Sequence, residues 1–289
     1  MTKDFQIIVT GASGFVAKNV RKHLSEHNIK QISISRKNFK KYKNETKIVS
    51  KNYDEKIILP KIKNSLGLIH LVGIGKQSVK NNYNLINVEF TRKIINLCNR
   101  AKIKKIIYFS GLGVSKTSSL EYFISKYQAE KLITESGLDY TIFRPSYIVG
   151  KDDLLTKHLK KQIKKGIIQI PGSGNYCIQP IYINDVSQIV FKALTDKKFK
   201  NQIFDLVGSE SIPYLKYVKL FSKTTKTKIK KIDLESAYYN AISKSNSEFG
   251  LDDLNLLIGN FRGDHRKLQN ISKIPLQNIR NLLESRSFL

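Results

Sequence analysis

Ile7-Ile-Val-Thr10-Gly11-Ala-Ser-Gly14-Phe-Val-Ala17 reads as a buried strand that runs into a glycine turn and out again into a helix. Gly11 permits the tight turn. Gly14 removes a side chain where backbone N–H groups and a helix N-terminus approach a pyrophosphate, and Ala17 lets helix and strand pack closely. The spacing is G-x-x-G-x-x-A. Gly11, Ser13, Gly14, Phe15 and Val16 are the candidate contacts to a dinucleotide.

Outward from this turn, short β-branched runs alternate with amphipathic stretches through residue 150, the pattern of a parallel sheet covered by helices. Strands are expected at 6–10, 31–35, 46–49, 66–72, 105–110 and 140–144, and helices at 16–26, 55–63, 88–101 and 121–136, with Gly137 as a stop. Past Pro145 the rhythm changes. A basic helix (154–165), an apolar strand-like run (178–183), a helix (185–195) capped by Asp185, and a last strand (203–207) follow. The remainder reads as polar and mostly helical. The expected fold class is α/β, a Rossmann-type doubly wound parallel sheet with a smaller, mostly helical C-terminal part. Residues 1–150 and 181–208 would form the dinucleotide-binding domain, and 151–180 and 209–289 a substrate-binding part over its carboxyl edge.

A chain of 289 residues with 40% hydrophobic and 26% charged residues can build a sizeable core and is not disordered. Its two cysteines, Cys98 and Cys177, make neither a disulfide scaffold nor a CxxC pair, which reads as intracellular and cytoplasmic. No stretch approaches the roughly 18 apolar residues of a membrane span, and the residues after Met1 enter a strand-like run that leaves no room for a signal peptide. The formal charge of +28 comes mostly from lysine, in a chain also rich in Ile, Asn and Tyr, as an AT-rich coding bias would produce. Basic clusters at 36–43, 157–165 and 223–231 lack the aromatic interleaving and zinc-knuckle spacing of nucleic-acid binders. A solvated basic surface is the expectation, and nucleic acid an unlikely partner.

The second strand ends Ile34-Ser35-Arg36-Lys37, where a carboxylate would otherwise bond the ribose 2′-hydroxyl of NAD. Arg36 can bind a 2′-phosphate bidentately and Lys37 adds charge, which favours NADP(H) over NAD(H).

With these motifs in hand, the chain resembles the extended and atypical short-chain dehydrogenases/reductases of the NAD-dependent epimerase/dehydratase superfamily. The matching segments are Thr10-Gly-Ala-Ser-Gly-Phe15, Ile69-His-Leu-Val-Gly73, Asn87-Val-Glu-Phe-Thr91, Tyr108-Phe-Ser-Gly-Leu-Gly113, Tyr122-x-x-Ser125-Lys126-x-x-x-Glu130, Phe143-Arg-Pro-Ser146 and Gln179-Pro-Ile-Tyr-Ile-Asn-Asp185. They cover 5–208 well and 209–289 loosely. Within the superfamily the chain is similar to NmrA-like proteins and to an accessory subunit of respiratory complex I. The resemblance implies that Leu71, Val72, Gly73, Pro145 and Ser146 line the cofactor and that Lys126 holds a ribose hydroxyl.

Tyr122 and Lys126 lie one helical turn apart and share a face. An ammonium beside a phenol favours phenolate and brings tyrosine toward useful acid/base strength. Tyr127 and Lys131 have the same spacing, so the wider Ser125-Lys126 and Glu130 pattern is what selects Tyr122. The family's catalytic serine or threonine falls here on Gly111 or Leu112, leaving Ser110, or Ser115, Ser118 and Ser119 in the next loop, as stand-ins. His23 and His27 form an i,i+4 pair without a third ligand, so no metal is expected. Asn87 reads as a brace of the active-site turn, and Cys98 as core.

Two functions compete. One is an NAD(P)-dependent oxidoreductase or epimerase for a carbonyl or hydroxyl substrate such as a nucleotide sugar. The other is a non-catalytic NADPH-binding accessory or sensor protein, with peripheral membrane or respiratory-complex association. Composition leaves the oligomeric state open.

Overall fold

A computed structural model describes residues 5–78, 81–244 and 247–285 of the chain. The elements run β1 (Gln6–Thr10), α1 (Phe15–Glu26), β2 (Lys30–Ser35), β3 (Glu45–Val49), α2 (Glu55–Ile62), β4 (Gly67–His70), α3 (Phe90–Arg100), β5 (Lys105–Phe109), α4 (Glu121–Thr134) and β6 (Asp139–Pro145). They continue with β7 (Ile148–Val149), α5 (Leu154–Lys164), β8 (Ile167–Pro171), β9 (Cys177–Ile178), β10 (Ile181–Tyr182), α6 (Ile183–Thr195), β11 (Gln202–Leu206) and β12 (Ile212–Pro213). Last come α7 (Tyr214–Phe221), β13 (Lys228–Ile232), α8 (Leu234–Ser243), α9 (Leu251–Ile258), α10 (His265–Ser272) and α11 (Ile279–Glu284).

Seven parallel strands form one sheet in the order β11-β6-β5-β4-β1-β2-β3. The order reverses at β1, so the carboxyl ends of β1 and β4 flank the crevice where doubly wound sheets bind ligands. Helices cover both faces, which is why the central strands are apolar throughout rather than alternating. One face carries α1, α6 and α10 through Val20, Leu24, Val186, Ile189 and Leu268. The other carries α2, α3 and α4 through Ile58, Ile94, Cys98, Ala129 and Ile133. A third core, from Leu159, Ile168, Tyr214, Tyr217, Leu254 and Ile279, holds the C-terminal part. The fold is the α/β, Rossmann-type sheet read from the sequence.

Several boundaries differ from expectation for local reasons. The strand expected at 66–72 stops at His70, freeing Leu71, Val72 and Gly73 as a loop at the sheet's carboxyl edge. The expected helix at 88–101 begins with a π-helical turn over Asn84–Glu89. The apolar run 178–183 is broken by Gln179-Pro180 into two short strands. Helix α6 begins at Ile183, so Asp185 is not its cap. It is buried in the first turn and accepts bonds from the backbone and side-chain N–H groups of Gln277, at 2.8 and 3.1 Å. The lysine-rich segment 228–232, read as part of a helical region, is strand β13, paired in parallel with β8. Among the described residues no helix is long and apolar enough to cross a membrane.

Candidate active site

The glycine turn is stitched to the neighbouring strands. Gly11 has φ +71°, and a Cβ there would lie 2.9 Å from the carbonyl of Leu71, so only glycine fits between β1 and the Leu71–Val72 loop. The Gly11 N–H donates to the Tyr53 hydroxyl (3.1 Å), which donates to the Ile34 carbonyl (3.1 Å). Nothing in the sequence singles out Tyr53. Ser35 Oγ reaches Ser13 Oγ at 2.9 Å and accepts from the Lys37 N–H at 3.2 Å, which sets the exposed Arg36–Lys37 pair beside the turn.

Helix α1 has no side-chain cap; its N-cap is Gly14, so the first amides of α1 meet no side-chain acceptor. A Cβ on Gly14 would meet only the Gly11 carbonyl oxygen, at 3.2 Å, and Gly14 is exposed. Open space and uncapped amides fit an anionic pyrophosphate. Phe15 and Val16 turn their side chains into the core, leaving their backbone for that role.

Tyr122 and Lys126 come from α4. Ser125 Oγ donates to the Tyr122 carbonyl (2.7 Å) and accepts from Asn87 Nδ2 (3.0 Å). Asn87 also grips both backbone groups of Ile74, at 3.0 and 3.2 Å, and so braces the post-β4 loop against α4 as anticipated. Buried Lys126 sends its ammonium to the Phe109 carbonyl (3.0 Å) and the Tyr108 hydroxyl (3.3 Å). A Cβ on Gly73 would lie 2.9 Å from Lys126 Nζ, so the bare glycine makes room for the ammonium.

The electrostatics depart from the expected pairing. Burial pushes the Tyr122 phenol up to about 12. Burial pulls Lys126 down to about 8, against the opposing charge of Glu130. The ammonium is bonded to β5 rather than to the phenol, so it does not bring Tyr122 toward neutrality. Tyr122 is therefore a phenol, a proton donor, at neutral pH.

Ser110 is buried at the end of β5 and its hydroxyl meets no partner among the described residues, as a group awaiting a ligand would. Ser115 bonds Thr117, and Ser118 accepts from the Leu120 N–H, so both are committed to their own loop; Ser119 is exposed there. At Gly111 a Cβ would sit 3.0 Å from the Tyr122 hydroxyl, so a serine there would touch the phenol directly. Pro145 accepts from the Leu112 N–H (2.9 Å), and the Ser146 N–H donates to Leu206 (3.2 Å), which puts both at the same carboxyl edge.

Two residues missed by sequence reading link the C-terminal part to this edge. The Tyr83 hydroxyl lies 2.6 Å from Asp252 and 2.9 Å from the Gly75 carbonyl, and its ring stands edge-on to Tyr122. Phe261 packs edge-on to Phe123. Contacts spanning 169 positions carry no short-range pattern. The His23 and His27 rings lie tilted with centroids 4.2 Å apart and both meet Phe191, and no metal-competent cluster occurs among the described residues. Cys98 is core, its thiol pushed up to about 12 by burial.

Comparison with known proteins fits this geometry. The sequence profile of the NAD dependent epimerase/dehydratase family matches residues 7–206. The chain is 25% identical over 149 residues to the uncharacterized sugar epimerase YhfK of Bacillus subtilis, covering 50% of this chain and 64% of that protein. It is 25% identical over 176 residues to mitochondrial NADH dehydrogenase [ubiquinone] 1 alpha subcomplex subunit 9 of Mus musculus, covering 60% of this chain and 47% of that one. The matched stretch thus spans less than two thirds of either relative. In fold it is similar to MoeE5 in complex with UDP-glucuronic acid and NAD, with a TM-score of 0.77, 15% identity and 96% of each chain covered. It is also similar to the UDP-glucuronic acid 4-epimerase of Bacillus cereus, with a TM-score of 0.73, 17% identity and 97% of each chain covered. With the family's profile matched across more than half its length, on the strands and turns that build the crevice, the chain belongs to the NAD dependent epimerase/dehydratase family.

Proposed function

We propose that the chain is a nicotinamide-dinucleotide-dependent oxidoreductase or epimerase acting on a carbonyl or hydroxyl carbon of a small molecule, with NADP(H) favoured and nucleotide sugars the first substrates to test. The observation that carries this reading is the convergence of the glycine turn, the Lys126 ammonium and the Tyr122 phenol on one carboxyl edge. When bound, the nicotinamide supplies hydride chemistry. Gly11, Ser13, Gly14, Phe15 and Val16 hold the pyrophosphate, with Leu71, Val72, Gly73, Pro145 and Ser146 along the rest of the dinucleotide. Lys126 holds a ribose hydroxyl. Tyr122 donates its proton to the substrate oxygen, and solvent restores it. Ser110 bonds the substrate oxygen. Residues 151–180 and 209–289, apart from α10 on the sheet's face, bind the substrate.

Gly14→Val is expected to abolish dinucleotide binding in titration calorimetry while lowering the melting temperature of the free protein only modestly, because the one tight contact of the new Cβ is the Gly11 carbonyl oxygen at 3.2 Å. Binding retained by this variant would remove the assignment. Arg36→Ala is expected to lower the NADPH-over-NADH affinity ratio by about 10- to 150-fold, the worth of a charge-assisted contact of roughly 1.5–3 kcal/mol. A wild type that binds both equally would refute the preference.

A second reading has its own observation. Gly111 leaves no hydroxyl where the family's catalytic serine or threonine stands, which suits an accessory protein that holds its dinucleotide structurally. The similarity to the mouse respiratory subunit supports association with a larger, membrane-linked assembly under that reading. Turnover against a panel of carbonyl compounds and nucleotide sugars separates the two.

A further inference from the structure

Lys126 rests on a buried polar column that the proposed chemistry does not use. The Tyr108 hydroxyl accepts from its ammonium (3.3 Å), which also lies 5.0 Å from the Tyr108 ring centroid. Thr91 Oγ1 donates to the Asn87 carbonyl (2.7 Å) and lies 3.2 Å from His70 Nε2. With the Thr91 proton committed to Asn87, Nε2 is the donor to Thr91, and Nδ1 accepts from Thr10 Oγ1 at 2.9 Å. His70, Thr91 and Tyr108 are fully buried, and the His70 and Tyr108 rings stack at 5.6 Å. The column thus runs from Thr10, next to the glycine turn, to the ammonium on α4.

The charged and titratable groups around Lys126 are few. Tyr108 faces it from β5, His70 from β4, and Glu130 from its own helix, where Tyr122 also stands. Burial holds His70 neutral, down to about 3, so it adds no opposing charge near neutrality. Glu130 is committed to Arg144 through two bonds, at 2.9 and 2.6 Å. That leaves two oxygen acceptors for the ammonium, Phe109 and Tyr108, and a third N–H for a ligand.

We propose that Tyr108 is a positioning residue for Lys126: its hydroxyl, on a ring stacked against His70, aims the ammonium at the dinucleotide site and keeps it charged. The inference rests on the dinucleotide reading only for what the third N–H meets; the anchoring stands on this chain's own contacts. A buried ammonium loses its proton more readily when an acceptor is removed. With the column intact, burial pulls Lys126 down to about 8. Tyr108→Phe withdraws one acceptor and leaves the ring in place, so the titration should move to lower pH by about one unit, a tenfold change in the protonation constant. The sign follows from the charged form losing support.

Two measurements test this. Lysine-selective carbon-13 labelling follows the Lys126 Cε resonance with pH, assigned by its loss in Lys126→Arg, and needs no bound ligand. NADPH titration across pH 6–9 reads the same group through affinity, which should fall as the ammonium deprotonates. The expected result is a downward shift of both curves in Tyr108→Phe. An unshifted Cε titration in Tyr108→Phe overturns the proposal. So does an affinity loss of equal size at every pH, which would mark a merely structural role. A wild type that shows the Cε shift on substitution yet binds no dinucleotide would leave the anchoring standing and overturn the proposed function instead.

Discussion

Tyr122→Phe is expected to lower turnover by about 10²–10⁴-fold, the usual contribution of one positioned acid/base group, while leaving dinucleotide affinity within a few-fold of wild type. Only the phenolic hydroxyl is removed; the ring keeps its edge-on contact with Tyr83 and its packing on Phe123. Because burial holds this phenol up to about 12, the wild-type rate should show no limb from Tyr122 deprotonation between pH 6 and 9; burial pulls Lys126 down to about 8, so a descending limb in that range is expected from loss of its charge. Lys126→Ala should damage rate and affinity together, since the ammonium serves both. Steady-state kinetics beside calorimetry gives the answer. A Tyr122→Phe variant as fast as wild type would exclude this residue as the acid, and a wild type without turnover on any acceptor would favour the accessory reading.

Arg21→Ala is expected to cost about 3–5 kcal/mol of stability, because it strands a buried carboxylate. Arg21 is 2% exposed and makes an ion pair with Glu45 through two bonds, at 2.5 and 2.9 Å. It also donates to the carbonyls of Ala12 and Lys40, both at 2.6 Å, and its guanidinium lies over the Phe39 ring at 4.4 Å. One side chain therefore ties the glycine turn to the loop that follows Arg36. At roughly 2–4 °C per kcal/mol for a chain of this size, the melting temperature should fall by about 6–20 °C in a thermal scan. Burial pushes the Glu45 carboxyl up, but the bonds from Arg21 and the Tyr42 N–H outweigh it and hold the carboxyl below its usual range. The folded value lies below the unfolded one, so the pair's contribution is complete above about 4.5 and is lost as pH falls through the lower folded value. A melting temperature within a degree or two of wild type at pH 7 would show that the network carries no net weight.

The sheet and the glycine turn were legible because both are local. A β-branched run followed by Gly11 and Gly14 has few alternatives, and each βα unit repeats the period change. Tyr122 and Lys126 were legible only through their wider pattern, since the spacing recurs at Tyr127 and Lys131. What the sequence could not show is orientation. The Lys126 ammonium points to Tyr108 rather than Tyr122, a preference set by tertiary burial. Tyr53, Tyr83 and Phe261 act across long separations, where no period connects the partners. Asp185 was misread as a cap because two extra residues, Ile183 and Asn184, already adopt helical geometry. Strand β13 was missed because its lysines mask a two-residue alternation on an exposed edge, where such charges discourage further pairing.

The seventh strand of the sheet has a consequence for how the chain is made. Residues 6–145 contain six of the seven strands, but β11, which seals the far side of β6, is synthesised only after residues 146–201. At about 5–20 residues per second the ribosome spends several seconds on that insertion. Throughout it the Asp139–Pro145 strand has β5 on one side and nothing on the other, with Thr141, Ile142 and Phe143 bound for complete burial. An unpaired apolar edge is a template for the wrong partner, including the same strand on a neighbouring nascent chain. The crevice between β1 and β4 lies away from that edge, and both of those strands are made before it, while Ser146 meets its Leu206 partner only once β11 is in place. A ligand present during synthesis can therefore brace the first half of the protein before the second half exists.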